Sequence, residues 1–403
     1  MNEIAEIKSG IGKFILGSTR QPAQVGLVLS PASRHTAFFH EIPVDNCKGL
    51  LTVSKLLDDL YVPYEYLSDE MVAGGELIRR KYRAVFLPGV LALSREGKKA
   101  VCDYVKNGGV VIADIAPGVY TQDGAWDDQN IFDELFGIKR DDVVKFELMP
   151  GGIPQILPGV FVDTSIKNKE GIRCLVKNDY GKGKAFLFNF TIGSYSNLSV
   201  AMGSGLRYLF ENLIKNVRVE RAVFARGEED VSRQVEISVF QRDKIRMVMA
   251  VQNPEASWEA QKVTFCLDKK YFVTNVRTGE KLGTTDNIPI VCLPGLAHVF
   301  SLMPYEVKRI DLRAPEVVEQ GAEARVSVQI HGTEKNISDH VLHATVTAPD
   351  GGNAGFFTIN LWAPSGRGEF CLPLALNAAR GGYTLEVRDV ASCCVAKACF
   401  KVR

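Results

Sequence analysis

Arg83-Ala-Val-Phe-Leu-Pro-Gly-Val-Leu-Ala-Leu-Ser94 and Tyr104-Val-Lys-Asn-Gly-Gly-Val-Val-Ile-Ala-Asp114 set the architecture of the first half of this 403-residue chain. Ala84 to Leu87 is an unbroken apolar run, the pattern of a strand covered on both faces, and Pro88-Gly89 ends it. Ser94 supplies an N-cap hydroxyl for a helix from Arg95 to Lys106, and Gly108-Gly109 stops that helix. Val110 to Ala113 is then the next strand. A strand, a helix and a second strand in so short a space predict a parallel pair joined by a crossover.

Working outward, the same alternation continues in both directions. Val25 to Ser30 reads as a buried strand, a helix follows with Leu50, Val53, Leu57 and Leu60 on one face, and Tyr64 to Leu67 is another strand. Downstream, Tyr180-Gly-Lys-Gly-Lys184 turns into a strand over Ala185 to Phe190. A last amphipathic helix carries Leu206, Leu209, Phe210, Leu213 and Ile214. Residues 1–217 are therefore expected to form an α/β domain with a mostly parallel sheet. Ile4, Ile7, Ile11 and Ile15 predict a helix ahead of the first strand, packed on the α/β domain or linking it to something upstream.

After residue 217 the period changes to two. Val235, Ile237 and Val239 alternate with polar residues, as do Ile245, Met247, Met249 and Val251, then Val263, Phe265 and Leu267. Arg277-Thr-Gly-Glu280 reads as a hairpin turn. Residues 218–313 are expected to form a small antiparallel β-domain. Residues 314–403 begin after Ala314-Pro315 and alternate again around Val326, Phe357, Tyr383 and Ala396. Their short strands, about ten residues apart, suggest an immunoglobulin-like sandwich.

Bulk composition narrows the function classes. Apolar content of 46%, with 24% charged residues, is ordinary globular composition. A net charge of +1 and the lack of a basic stripe or zinc spacing argue against nucleic acid as partner. The nine cysteines are scattered and include the adjacent Cys393-Cys394, which favours reduced thiols and a reducing compartment. No run approaches the roughly 20 apolar residues of a membrane span, and Met1 to Gly10 lacks the pattern of a signal peptide. The chain alone thus reads as cytoplasmic, or as exported if it belongs to a longer precursor.

In an open α/β sheet, ligands bind outside the carboxyl ends of the strands. That rim holds Ser30 to His35, Pro88 to Leu91, and Asp114 to Tyr120 running on to Asp123 and Trp126. Asp114 is the chief candidate, either as a base or as an acceptor for nearby backbone N–H groups. Tyr120, Trp126 and the acids Asp123, Asp127 and Asp128 could stack on and hydrogen-bond a sugar, or form a lid. Ser30 and His35 complete the weak ligand-binding set. Cys102 lies inside a helix and reads as a core or surface thiol and not as a nucleophile. His340 and His343 fall on a strand and so face opposite ways; no metal and no cofactor is assigned. Trp258 and Trp362 could serve as sugar platforms or as packing. Gly181-Lys-Gly183 and Gly203-Ser-Gly205 lack the remaining features of a phosphate-binding loop and read as turns.

These motifs resemble two known arrangements. Residues 25–118 are similar to the first half of a class I glutamine amidotransferase fold of flavodoxin type, in which the strand at Val110 would run into an elbow bearing a cysteine. Here the elbow reads Asp114-Ile-Ala-Pro-Gly118, and Ile115 offers neither thiol nor hydroxyl to form an acyl-enzyme. More specifically, Glu6-Ile-Lys-Ser-Gly-Ile-Gly-Lys-Phe-Ile15 and the two opening stretches resemble the linking helix and the amidotransferase-like trimerisation domain of family 42 β-galactosidases. Leu302-Met-Pro-Tyr-Glu-Val307 resembles the end of their small β-domain. The resemblance implies a non-catalytic oligomerisation portion, a homotrimer, with a glycosidase barrel or carbohydrate as partner. It leaves no Asp or Glu to inherit the barrel's catalytic roles. The alternatives are a stand-alone hydrolase using Asp114, with His35 as a further base, and a carbohydrate-binding surface protein.

Overall fold

In the computed structural model, residues 2–140, 143–149, 151–153, 157, 159–168, 171–193, 195, 204–227, 234–253, 257–352, 354 and 357–403 are described. Gly203 lies outside them. The chain divides into two units, Pro22–Arg221 and Met1–Gln21 with Ala222–Arg403.

The first unit is built on strands β1 (Val25–Leu29), β2 (Tyr64–Ser68), β3 (Ala84–Leu87), β4 (Val110–Asp114), β5 (Leu175–Tyr180) and β6 (Gly183–Phe188). Their order across the sheet is β5-β6-β4-β3-β1-β2. All neighbours are parallel except the hairpin β5–β6, which pairs Tyr180 with Gly183 at its turn. Helices α1 (Pro31–Phe39), α2 (Asn46–Asp59), α3 (Asp69–Ala73), α4 (Glu76–Arg79), α5 (Arg95–Lys106), α6 (Ile131–Phe136) and α7 (Ser204–Asn216) connect and cover it.

The alternation of side chains along each strand decides which layer each helix joins. Leu27, Phe86 and Ile112 point to one face, where Val53 and Leu57 of α2 and Leu206 and Phe210 of α7 bury them. Val28, Val85 and Val111 point to the other, against Val101 and Val105 of α5 and Phe132 and Phe136 of α6. Neither face meets solvent, so these strands carry no polar alternation and read as apolar runs. Caps set where the helices start. Ser30 accepts from Ser33 N–H at 3.1 Å, Asp45 from Cys47 N–H at 2.9 Å, and Ser94 from Gly97 N–H at 3.0 Å. Helix α1 occupies Pro31–Phe39, where the sequence reading placed only a strand-end rim.

The second unit contains a seven-stranded, mainly antiparallel sheet and two further sheets. In the seven-stranded one, Thr19–Arg20, Val235–Arg242, Ile245–Gln252, Ala297–Met303, Gln261–Asn275 and Val223–Gly227 lie side by side, and Lys281–Cys292 pairs with Gln261–Asn275. A three-stranded sheet joins Val307–Arg313, Glu323–Gly332 and Arg367–Pro373. A five-stranded sheet joins Val317–Val318, Val395–Val402, Gly381–Asp389, His340–Thr347 and Ile359–Ala363. Val307–Arg313 was read as the tail of the middle β-segment. Its backbone ladder instead runs to Glu323–Gly332, from Ile310 opposite Ile330 to Arg313 opposite Ser327.

The N-terminal segment also departs from expectation. Residues 2–21 group with the β-rich unit and not with the α/β sheet. The isoleucine stripe forms no single helix: Asn2–Glu6 is followed by a π-helical turn at Ile7–Ile11 and a short helix at Gly12–Leu16. Ile11 and Phe14 enter the same core as Met303, Val341 and Val390, while Ile4 and Ile7 stay exposed. Glu6 pairs with Arg277 at 2.7 Å, Arg388 donates to the Ser9 carbonyl at 2.9 Å, and Asn360 donates to the Lys8 carbonyl at 2.6 Å. Thr19 and Arg20 then add an edge strand opposite Gln241 and Phe240.

Candidate functional site

The carboxyl ends of the parallel strands surround a cavity of about 590 Å³. Helix α1 contributes Arg34 and Phe38, the start of α2 contributes Asp45 and Lys48, the end of β4 contributes Asp114, and the segment after β6 contributes Thr191. Asp114 is only 3% exposed. Its Oδ1 accepts from the Gly89 N–H, in the turn after β3, and Ile192 N–H is a second backbone donor. No cation pairs with it among the described residues. Burial therefore dominates, and pushes the carboxyl up to about 7 against the pull of those N–H groups. Such a group can hold or release a proton near neutrality. Asp45, the other acid in the cavity, is engaged as the cap of α2.

The turn after β4 has the backbone of a strained elbow, one residue later than expected. Ala116 sits at φ +52, in the left-handed region, and is buried beside Ile115, Leu91 and Val119. Neither Ile115 nor Ala116 carries a nucleophile. The chain then returns over the rim as a tight loop, in which Thr121 N–H donates to the Ala125 carbonyl at 2.8 Å and Asp127 N–H to the Val119 carbonyl at 3.0 Å. Buried Lys98 anchors this loop through the Gly118 carbonyl and through Asp127, 2.6 Å away.

The other candidates separate into different roles. Ser30 is fully buried and donates to Asp69 at 3.1 Å, besides capping α1. Burial pushes Asp69 itself up to about 6. Ser30 does not line the cavity. His35 is exposed on α1 and does not line it either. Tyr120 stacks on His40 with ring centroids 4.9 Å apart and meets Trp126 edge-on at 5.7 Å, while Asp123 is exposed at the loop tip. These aromatics form a cluster beside the cavity and do not line it. Arg34 falls within the rim stretch Ser30 to His35, whereas Lys48, Phe161 and Thr191 were missed by sequence reasoning, because only the fold brings them to Asp114.

Elsewhere, Trp362 packs against Phe14 and lies under the Arg242 guanidinium, 4.8 Å from the ring, so it is a packing residue. Trp258 is exposed. Cys102 is buried in α5, its thiol pushed up to about 12 by burial. His340 is buried and His343 half-buried on their strand. Among the described residues no three His, Cys, Asp or Glu side chains gather at metal-binding range, and no helix is long and apolar enough to cross a membrane.

No protein-family model matches the sequence, and no curated protein is significantly similar to it. Solved structures do match. Gan42B, a GH42 β-galactosidase from G. stearothermophilus, superposes with a TM-score of 0.51 at 14% identity, over 70% of this chain and 40% of that one. A β-galactosidase from Bacillus circulans sp. alkalophilus gives a TM-score of 0.52 at 14% identity, over 74% of this chain and 44% of that one. At this identity the likeness is one of fold. The chain thus spans less than half the length of these structures.

Proposed function

We propose that this chain is the assembly portion of a β-galactosidase-like glycoside hydrolase, joining copies of itself and carrying no hydrolytic site of its own. The observation that carries the reading is the turn after β4. It has the left-handed backbone of an elbow at Ala116, with no side chain there able to attack a substrate. On this reading Pro22–Arg221 is an amidotransferase-like trimerisation domain, and the terminal three- and five-stranded sheets form an immunoglobulin-like sandwich. Among the described residues no sheet closes into a parallel barrel, so a barrel would act from elsewhere in the protein or from a partner. The carboxyl-end rim offers a face for assembly. Phe38 and Phe39, side by side on α1, are 88% and 82% exposed, an amount of aromatic surface that association would remove from water.

Sedimentation equilibrium tests the reading. The expected mass is three times that of the chain, dropping toward one in Phe38→Ser/Phe39→Ser, with no hydrolysis of nitrophenyl β-galactoside by either. A monomer at all concentrations sinks it. A second reading, a hydrolase acting through Asp114, draws on the cavity and on a carboxyl pushed to about 7. It requires hydrolysis of a nitrophenyl glycoside or ester that Asp114→Asn abolishes.

A further inference from the structure

The opposite, amino-terminal end of the parallel sheet holds a second cleft, of about 620 Å³. Its walls carry six cationic side chains, Lys81, Arg83, Lys177, Lys182, Lys184 and Arg218, and no carboxylate. Lys184 pairs with Asp179 at 2.6 Å, Lys177 lies within the field of the same carboxylate, and Lys81, Arg83, Lys182 and Arg218 have no carboxylate partner among the described residues. The net charge of the whole chain is only +1, so this density of positive charge is local.

Two of these cations are displayed by a built turn. Tyr180-Gly-Lys-Gly-Lys184 packs against the end of α5, with Lys182 N–H donating to the Lys106 carbonyl at 3.0 Å and Lys184 N–H to the Gly109 carbonyl at 3.2 Å. A Cβ at position 183 would come within 2.2 Å of the Gly109 and Val105 carbonyl oxygens. One at position 181, where φ is +58, would come within 2.7 Å of the Lys106 backbone. Only glycine permits this approach, and the consequence is that Lys182 and Lys184 stand at the cleft on fixed backbone.

Helix ends offer an ordinary explanation for some of the charge. The carboxyl ends of α4, α5 and α7 all reach the cleft, and each contributes about −0.5 of an elementary charge. Three half-charges offset fewer than two of the four cations that have no carboxylate nearby. About two to three positive charges are left over, in a concave site that concentrates their field.

We propose that this cleft binds an acidic polysaccharide, taking its carboxylate or sulfate groups on Lys81, Arg83, Lys177, Lys182 and Arg218. The cleft lacks what single-stranded nucleic acid needs. Tyr82 and Tyr104 are buried with their hydroxyls engaged by Glu65 and by the Tyr82 carbonyl, which leaves the half-buried Phe186 as a single partial platform in the lining where successive bases need successive rings. The choice of a glycan among acidic polymers also rests on the glycosidase-like reading above.

The test uses the full chain with fluorescein-labelled oligogalacturonate and a sulfated galactan oligomer of equal length. A neutral galactan oligomer, single-stranded DNA and polyglutamate of matched charge serve as comparisons. At least one acidic glycan is expected to bind, the neutral one not. Log affinity is expected to fall with log salt at a slope of about −2 to −3 if three or four anionic groups are engaged. Which arm binds assigns carboxylate or sulfate. Lys177→Glu/Lys182→Glu, both exposed, is expected to weaken binding at least about tenfold with an unchanged melting temperature, and Lys401→Glu is not. Failure of both acidic glycans to bind, indifference to the double reversal, or tighter binding of DNA or polyglutamate each overturns the proposal. Sedimentation of the same preparation keeps the two readings apart: a monomer that binds acidic glycan defeats assembly alone, and a trimer that ignores it defeats this site alone.

Discussion

Asp114 and Asp389 are both buried aspartates at the ends of strands, one in each unit, and their surroundings treat them in opposite ways. Asp114 meets only backbone N–H groups, and burial wins, leaving its carboxyl at about 7. Asp389, with no exposed surface, shares its Oδ1 with His340 Nδ1 at 2.8 Å, while Oδ2 accepts from both the N–H and the hydroxyl of Ser392. Burial pushes this carboxyl up as well, but His340 and Ser392 together outweigh it and hold it below the usual range. His340 also joins Tyr305 at 2.8 Å, whose hydroxyl accepts from Ser338 N–H. Equal burial therefore says little about a charge; the partners supplied decide whether it is an asset to the fold or a cost.

The largest effect expected from this contrast is at Asp389. Replacing it with alanine leaves His340 and both Ser392 donors without their acceptor, and should destabilise the β-rich unit by about 3–5 kcal/mol in urea titrations. A loss below about 1 kcal/mol would break the comparison. Acid should act at the same place. With its folded pKa depressed, Asp389 contributes stability that is complete above about pH 4 and fades as pH falls through the folded value.

Asp114 has the reverse sign. Its folded pKa is raised, so it costs stability progressively from about pH 4 to about pH 7, up to about 4 kcal/mol above that range. Asp114→Asn removes the ionisation while keeping an oxygen for the Gly89 N–H. It should stabilise the α/β unit by about 2–4 kcal/mol at pH 8 and by less than about 1 kcal/mol at pH 4.5. The same gain at both pH values would mean that ionisation is not the cause. A smaller gain, about 0.5–1 kcal/mol, is expected for Ala116→Gly from relief of the left-handed backbone. A loss there would show that the buried alanine methyl contributes more through packing than it costs in strain.

Much of the α/β unit was legible because its signals are local. Helix α5 was placed at Arg95 to Lys106 from Ser94 and Gly108-Gly109, and that is where it lies. Apolar runs located β1, β3 and β4 within a residue or two of their ends. Helix α1 was missed although Ser30-Pro31 is a good start signal, because its end bears the exposed pair Phe38-Phe39 where an amphipathic pattern would place polar residues. Val307–Arg313 fell inside the bounds of the middle β-segment, but a period of two is the same in any sheet and could not say that it pairs with Glu323–Gly332. At the candidate site, Asp114 was legible as a carboxylate closing a buried strand. Its shifted acidity was not, because the burial that raises it and the opposing Gly89 and Ile192 N–H groups come only with the fold.

The edge strand at Thr19–Arg20 has a consequence for synthesis on the ribosome. Thr19 and its partner Gln241 are 222 residues apart, and the core that receives Phe14 includes Val402. At roughly 5–20 residues per second, about 10–45 s pass between the appearance of Thr19 and that of Gln241. The intervening Pro22–Arg221 can emerge and fold as a unit within that interval. The segment ahead of the α/β unit thus waits for chain made long after it, and until then its apolar side chains are available to chaperones.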